Sequence, residues 1–169
     1  MMAVDDPWRS IRVLDGQRLL VMPMSRTKQW GIAWVSLSVA LGLHVADEAI
    51  TDFLPLYNSI AGAIRETYGW LPLPTFSFSV WLTGLIAGIL VLLALSPFVF
   101  AGKLIFRPIS YFLGVLMALN ASAHISGSIY LGELAPGALS SPVLLICAIA
   151  LLVTTRRVRH NSSIAGRGA

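Results

Sequence analysis

The sequence predicts an all-α protein: an integral membrane four-helix bundle with both termini on one side and a short amphipathic helix lying at the interface between helices 1 and 2. Three observations lead there. Of 169 residues, 56% are hydrophobic and only 12% charged, against about 45–50% and about 25% in an ordinary soluble domain, and mean hydropathy is +0.77. Four apolar runs each approach the roughly 20 residues that a helix needs to cross a hydrocarbon core. Eleven of the twelve Lys and Arg residues fall into three segments, 1–29, 101–107 and 155–169, which share a side in a four-span chain.

The chain opens with a basic arm, 1–29, carrying Arg9, Arg12, Arg18, Arg26 and Lys28. It lacks the apolar h-region and cleavage site of a signal peptide. The first span is expected at 30–50. The connection 51–75 is too long for a tight turn, and Tyr57, Ile60, Ala61, Ile64 and Tyr68 recur at helical spacing within it. An amphipathic helix in the headgroup region fits that pattern. The second span, 76–100, is the most apolar and carries Gly84-x-x-x-Gly88, expected as a close-packing face. Lys103 and Arg107 separate it from the third, 109–130, which begins after Pro108. The fourth, 142–155, starts at Pro142 and stops at Arg156–Arg157, leaving 156–169 as a basic tail. A single membrane domain, 30–155, is therefore expected between arm and tail. The positive-inside rule assigns arm, 101–107 connection and tail to the cytoplasm.

The formal net charge of +4 is thus read as topology, together with attraction to anionic headgroups. No nucleic-acid partner is expected, because no aromatic or base-reading pattern accompanies the arginines. The single cysteine, Cys147, falls in the fourth run and reads as a small apolar filler, with no disulfide available.

Two polar stripes interrupt the apolar spans. His44, Asp47 and Glu48 share a face of the first span, with Asp52 one further turn on; Asn120 and His124 share a face of the third. At a rise of 1.5 Å per residue, His44 stands about 21 Å above residue 30 and His124 about 22 Å above residue 109. Both spans run outward, so the stripes reach the same level in the outer half of the bilayer. Glu133, in the following loop, could close the site from above. Ionisable side chains inside a membrane mark function by default, whereas Asp52 and Glu133 also fit a helix that is simply leaving the membrane. The residue types suit a general acid/base relay. They also suit a divalent metal held by His44, His124 and one or both of Asp47 and Glu48. No GxSxG, P-loop or dinucleotide motif is present, and Ser126 and Ser128 flank His124 without a pattern that marks either as a nucleophile.

His44-x-x-Asp47-Glu48, then Asn120-x-x-x-His124, then Pro136-Gly137 resembles, in order and spacing over residues 30–155, the HXXEE-domain family of small four-helix bacterial membrane proteins. Here Asp47 stands at the first Glu of the motif, and Leu134-Ala135 stands where the family carries Tyr before Pro-Gly. The resemblance implies a membrane-embedded enzyme in a bacterial inner membrane, without specifying a reaction. The leading expectation is an enzyme acting on a lipid-like or isoprenoid-like substrate by hydrolysis, isomerisation or cyclisation. His44, Asp47, Glu48 and His124 would supply the chemistry, and Asn120 would orient His124 or the substrate. The alternatives are a binder or transporter of a metal, proton or small hydrophobe, which would call for a homo-oligomer, and an accessory subunit with a structural polar network.

Overall fold

The structure, a computed structural model, describes residues 24–165, with side chains to 158. Arg9, Arg12 and Arg18 of the arm, and Arg159, His160 and Arg167 of the tail, lie outside the described side chains. Five helices and no strands are found among the described residues: α1 (Arg26–Ile50), α2 (Phe53–Thr67), α3 (Phe78–Phe100), α4 (Phe106–Leu131) and α5 (Ser141–Ala165). Four of them, α1, α3, α4 and α5 to Val158, are long and apolar enough to cross a membrane; α2 is the short extra helix.

Boundaries shift where polar residues extend a helix beyond its apolar run. α1 starts at Arg26, capped by Ser25, whose Oγ accepts from Lys28 N at 3.2 Å. α4 starts before Pro108 rather than after it, because first-turn N–H groups have no intrahelical partner and a proline there forfeits nothing. α5 does not stop at Arg156–Arg157 but continues to Ala165. Hydropathy marks where a helix leaves hydrocarbon, whereas arginine is itself a good helix former.

α1 is the central element. It packs along α3 on one side and α5 on the other, and α4 packs along α5. Its buried Trp30, Trp34 and Leu37 join Leu144, Ala148 and Leu151 of α5 and Val99 of α3 in the core. Both indoles find acceptors, as buried donors must in a dry interior: Trp30 Nε1 donates to Ser110 Oγ at 3.0 Å and Trp34 Nε1 to Leu92 O at 2.8 Å. Pro97 removes the N–H that Leu93 O would accept, and Ser96 Oγ takes that acceptor at 2.7 Å.

The expected close-packing face on α3 is not used within the bundle. Gly84 and Gly88 face outward, with nothing within 4 Å of where a Cβ would lie. Close approach occurs instead between α4 and α5 at Gly114, where a Cβ would stand 2.7 Å from Leu152. α3 meets α4 through Phe98 and Phe106, stacked at 6.0 Å, but does not pack along it. A gap beside α1 is thereby left between them toward the far end.

α2 lies over that gap. Asp52, the residue before it, has φ 57° and ψ 36°, a left-handed conformation that Asp tolerates better than most residues; it turns the chain sharply out of α1. Asn58 Nδ2 donates to Phe76 O at 2.9 Å, Phe76 N donates to Asn58 Oδ1 at 3.1 Å, and Tyr57 OH donates to Pro74 O at 3.1 Å. The packed face is centred on Leu54 and Ala61, with Tyr57 and Ile64 half-buried. Ile60 and Tyr68, expected on the same stripe, are exposed.

Candidate functional site

The two polar stripes meet. The rings of His44 and His124, from α1 and α4, lie edge to face with centroids 4.9 Å apart. Glu48, one turn beyond His44, places Oε1 3.4 Å from His44 Nε2 and 3.1 Å from His124 Nε2. His44, Asp47, Glu48 and His124 are all buried, and His44 retains only 1% of its exposure. Among the described residues, His44, Glu48 and His124 are the trio whose ligand-type atoms lie within 4.8 Å of one another.

Protons can be placed from the partners. His124 Nδ1 lies 2.5 Å from Pro136 O; a carbonyl only accepts, so Nδ1 carries a hydrogen. His44 Nδ1 lies 2.8 Å from Ser140 Oγ. Asp47 Oδ2 accepts from both Ser140 Oγ, at 2.7 Å, and Ser140 N, at 2.9 Å. With its single hydrogen directed at Asp47, Ser140 Oγ accepts from His44 Nδ1. Each imidazole therefore donates outward through Nδ1 and turns Nε2 inward to Glu48. Asn120 Nδ2 lies 2.9 Å from His44 Nε2 and donates to it, half-buried on the same α4 face as His124.

The Pro136-Gly137 turn is the wall opposite Glu48. Gly137 has φ +77°, and a Cβ there would stand 3.0 Å from Glu48 Cγ and from His124 Cε1 and Nδ1. Its N donates to Thr51 Oγ1 at 3.1 Å, and Thr51 Oγ1 donates to Asp47 O at 2.6 Å. Only a glycine satisfies both the conformation and the space.

Of the residues expected at the site, His44, Asp47, Glu48, Asn120, His124, Pro136 and Gly137 are brought together. Asp52 and Glu133 are not in this hydrogen-bond network. Asp52 is exposed and lines a separate cavity of about 260 Å³ that shares Glu48 with the cluster. Glu133 is exposed in the α4–α5 turn, and Pro136 closes the cluster in its place. Ser126 is exposed, whereas Ser128 Oγ accepts from Ala135 N at 3.0 Å and so ties the same turn to α4.

Ser140, Thr51 and Phe53 escape sequence reasoning. Ser140 sits 93 residues from Asp47, and its only local signal is its place just before a helix, where Ser is a common cap. Phe53 lies against His124, centroids 5.2 Å apart, and against Trp81 at 6.4 Å. Beside the cluster, Leu41, Phe53, Tyr57, Phe76, Trp81, Leu85 and Met117 line a cleft of about 340 Å³, into which His44, Glu48 and Asn120 also face.

Chemically, two imidazole Nε2 atoms and a carboxylate oxygen converge, with both Nδ1 atoms committed elsewhere and Asn120 donating to His44 Nε2. Such a convergence holds a proton or a cation. Comparison of the chain with protein-family models, with curated proteins and with solved structures finds no match.

Proposed function

We propose that this chain is a multi-pass membrane enzyme whose His44–Glu48–His124 centre acts on a lipid-like or isoprenoid-like substrate. One observation carries the reading: His44, Glu48 and Asn120 form the polar floor of a largely apolar cleft, lined from α1, α2, α3 and α4 and lying where α3 and α4 do not pack. A binding site of this kind surrounds a mostly apolar ligand and orients it with a few convergent polar groups. An acyl or prenyl chain would lie against Leu41, Leu85, Trp81 and Met117. Its polar head would meet Glu48 and Asn120.

The basic residues describe the orientation. Arg26 Nη1 donates to Arg157 O at 3.2 Å, so the start of α1 and the end of α5 lie together, and the α3–α4 connection with Lys103 joins them through Gly102 beside Thr27. The positive-inside rule makes this the cytoplasmic end, leaving the cluster and α2 in the outer half with α2 at the headgroup level. The substrate then enters from the outer leaflet between α3 and α4. In the reaction, the centre supplies acid/base or metal-assisted chemistry through Glu48, which lines the cleft, with His124 3.1 Å behind it. Asp47, through Ser140, holds His44 in one tautomer, as the orienting acid of a relay does. The resemblance to HXXEE-domain proteins points in the same direction.

The test is product formation. Full-length protein in vesicles of total bacterial lipid, including isoprenoid phosphates, is compared by mass spectrometry with His124→Ala and Glu48→Gln. The expected result is a lipid conversion by the wild type that falls at least ~100-fold in either variant, as for loss of a general acid or base. Identical lipid profiles for all three proteins, each folded, would overturn the reading.

A further inference from the structure

We infer that the cluster is a divalent transition-metal site with His44 Nε2, His124 Nε2 and Glu48 Oε1 as ligands and the Asn120 amide oxygen as a fourth. The inference concerns what the centre holds and stands whether or not a lipid is turned over.

The distances are compatible with a ligand set. A charge-assisted N–H to carboxylate hydrogen bond closes to about 2.7–2.9 Å. The contacts here are 3.1 and 3.4 Å. Two ligand bonds of about 2.0–2.2 Å meeting at a tetrahedral angle place their donor atoms roughly 3.3–3.5 Å apart. Two of the trio's three separations are thus close to the spacing of atoms that share a metal, and the third lies within 4.8 Å.

The surroundings fit the same reading. Metal-bound imidazole ordinarily donates its other ring N–H to a carbonyl or a carboxylate, which sets the tautomer and the ring orientation. His124 does this directly, to Pro136 O, and His44 does so through the Ser140 hydroxyl, which itself donates to Asp47. Asp47 meets the relay through Oδ2, which accepts from both Ser140 Oγ and Ser140 N. Asn120 fits too. A half-turn of its amide exchanges Nδ2 for Oδ1 at the same place and converts a donor to His44 Nε2 into a fourth oxygen ligand. Two nitrogens, a carboxylate and an amide oxygen are a borderline set that suits zinc or iron(II) rather than calcium or magnesium.

The experiment uses full-length protein in detergent, stripped with a chelator and titrated with Co²⁺ followed by visible absorption, with Zn²⁺ as competitor. A saturable, stoichiometric cobalt band displaced by Zn²⁺ is expected in the wild type, and its loss in His124→Ala and Glu48→Gln. Ser140→Ala keeps every ligand and should weaken binding about 10–100-fold. Asn120→Asp separates the two accounts of the cluster. With a metal, an added carboxylate preserves or tightens binding; without one, it faces Glu48 as a like charge and lowers the melting temperature. A folded wild type without a saturable band overturns the proposal, as does a band unchanged in His124→Ala or lost in a folded Asn120→Asp. Should the alanine variant fail to fold, the wild-type titration and Asn120→Asp decide. Metal binding without lipid conversion would sink the enzyme reading alone, and lipid conversion by a chain that binds neither ion would sink this one alone.

Discussion

Gly137 shows how tightly the centre is specified at the scale of single residues. Its positive φ and the 3.0 Å separation of a notional Cβ from Glu48 and His124 act together, so Gly137→Ala must both strain the backbone and displace the cluster. A loss of about 1–3 kcal/mol is expected, read as a lower melting temperature in detergent. Gly127→Ala serves as the control, because a Cβ there meets only Ala135 Cβ at 3.9 Å, and it should melt no lower than the wild type, since Ala favours the interior of α4. Equal melting of the two variants would show that the turn does not hold the cluster. His44, Asp47 and Glu48, by contrast, are legible as one polar stripe in the sequence alone. Intramembrane ionisable residues at i, i+3 and i+4 have few other reasons to exist.

At the scale of elements, the four long helices follow from hydropathy and their ends from capping chemistry, and the errors lie where those signals diverge. Pro108 reads as a start and Arg156 as a stop, yet neither breaks a helix there. α2 is held to the chain before α3 mainly through Asn58 and Tyr57. In Asn58→Ala combined with Tyr57→Phe, amide hydrogen exchange should accelerate across 53–76 and leave α4 and α5 unchanged. Those three hydrogen bonds are each worth about 0.5–1.5 kcal/mol, enough for local opening but not for global unfolding. Unchanged exchange across 53–76 would mean that packing of Leu54 and Ala61 alone retains α2. The small-residue face at Gly84 and Gly88 teaches the converse lesson. Spacing reveals that a helix can be approached closely, but not which neighbour approaches it.

For the whole molecule, the arrangement makes a directional prediction. With Cys147 replaced by alanine, single cysteines at positions 66 and 133 should react with a membrane-impermeant maleimide in intact cells, and one at position 103 only after lysis. The reverse pattern would invert the bundle and move the centre to the cytoplasmic half. It would also remove the basis for substrate entry from the outer leaflet.

Composition and apolar run length by themselves determined an all-helical chain with four helices long and apolar enough to cross a membrane, and helical spacing marked the two polar stripes. Those properties are local, because a helix in hydrocarbon satisfies its own backbone and each span is specified by its own residues. Tertiary structure decided what the stripes face. His44 and Asn120 meet across 76 positions, and Asp47 and Ser140 across 93, distances over which no periodicity carries information. It decided also that Pro136 rather than Glu133 closes the cluster, that Phe53 and Trp81 wall its cleft, and that Asp52 turns the chain. Each outcome depends on how helices rotate and pack against one another, and that is set by the shapes of all the faces together.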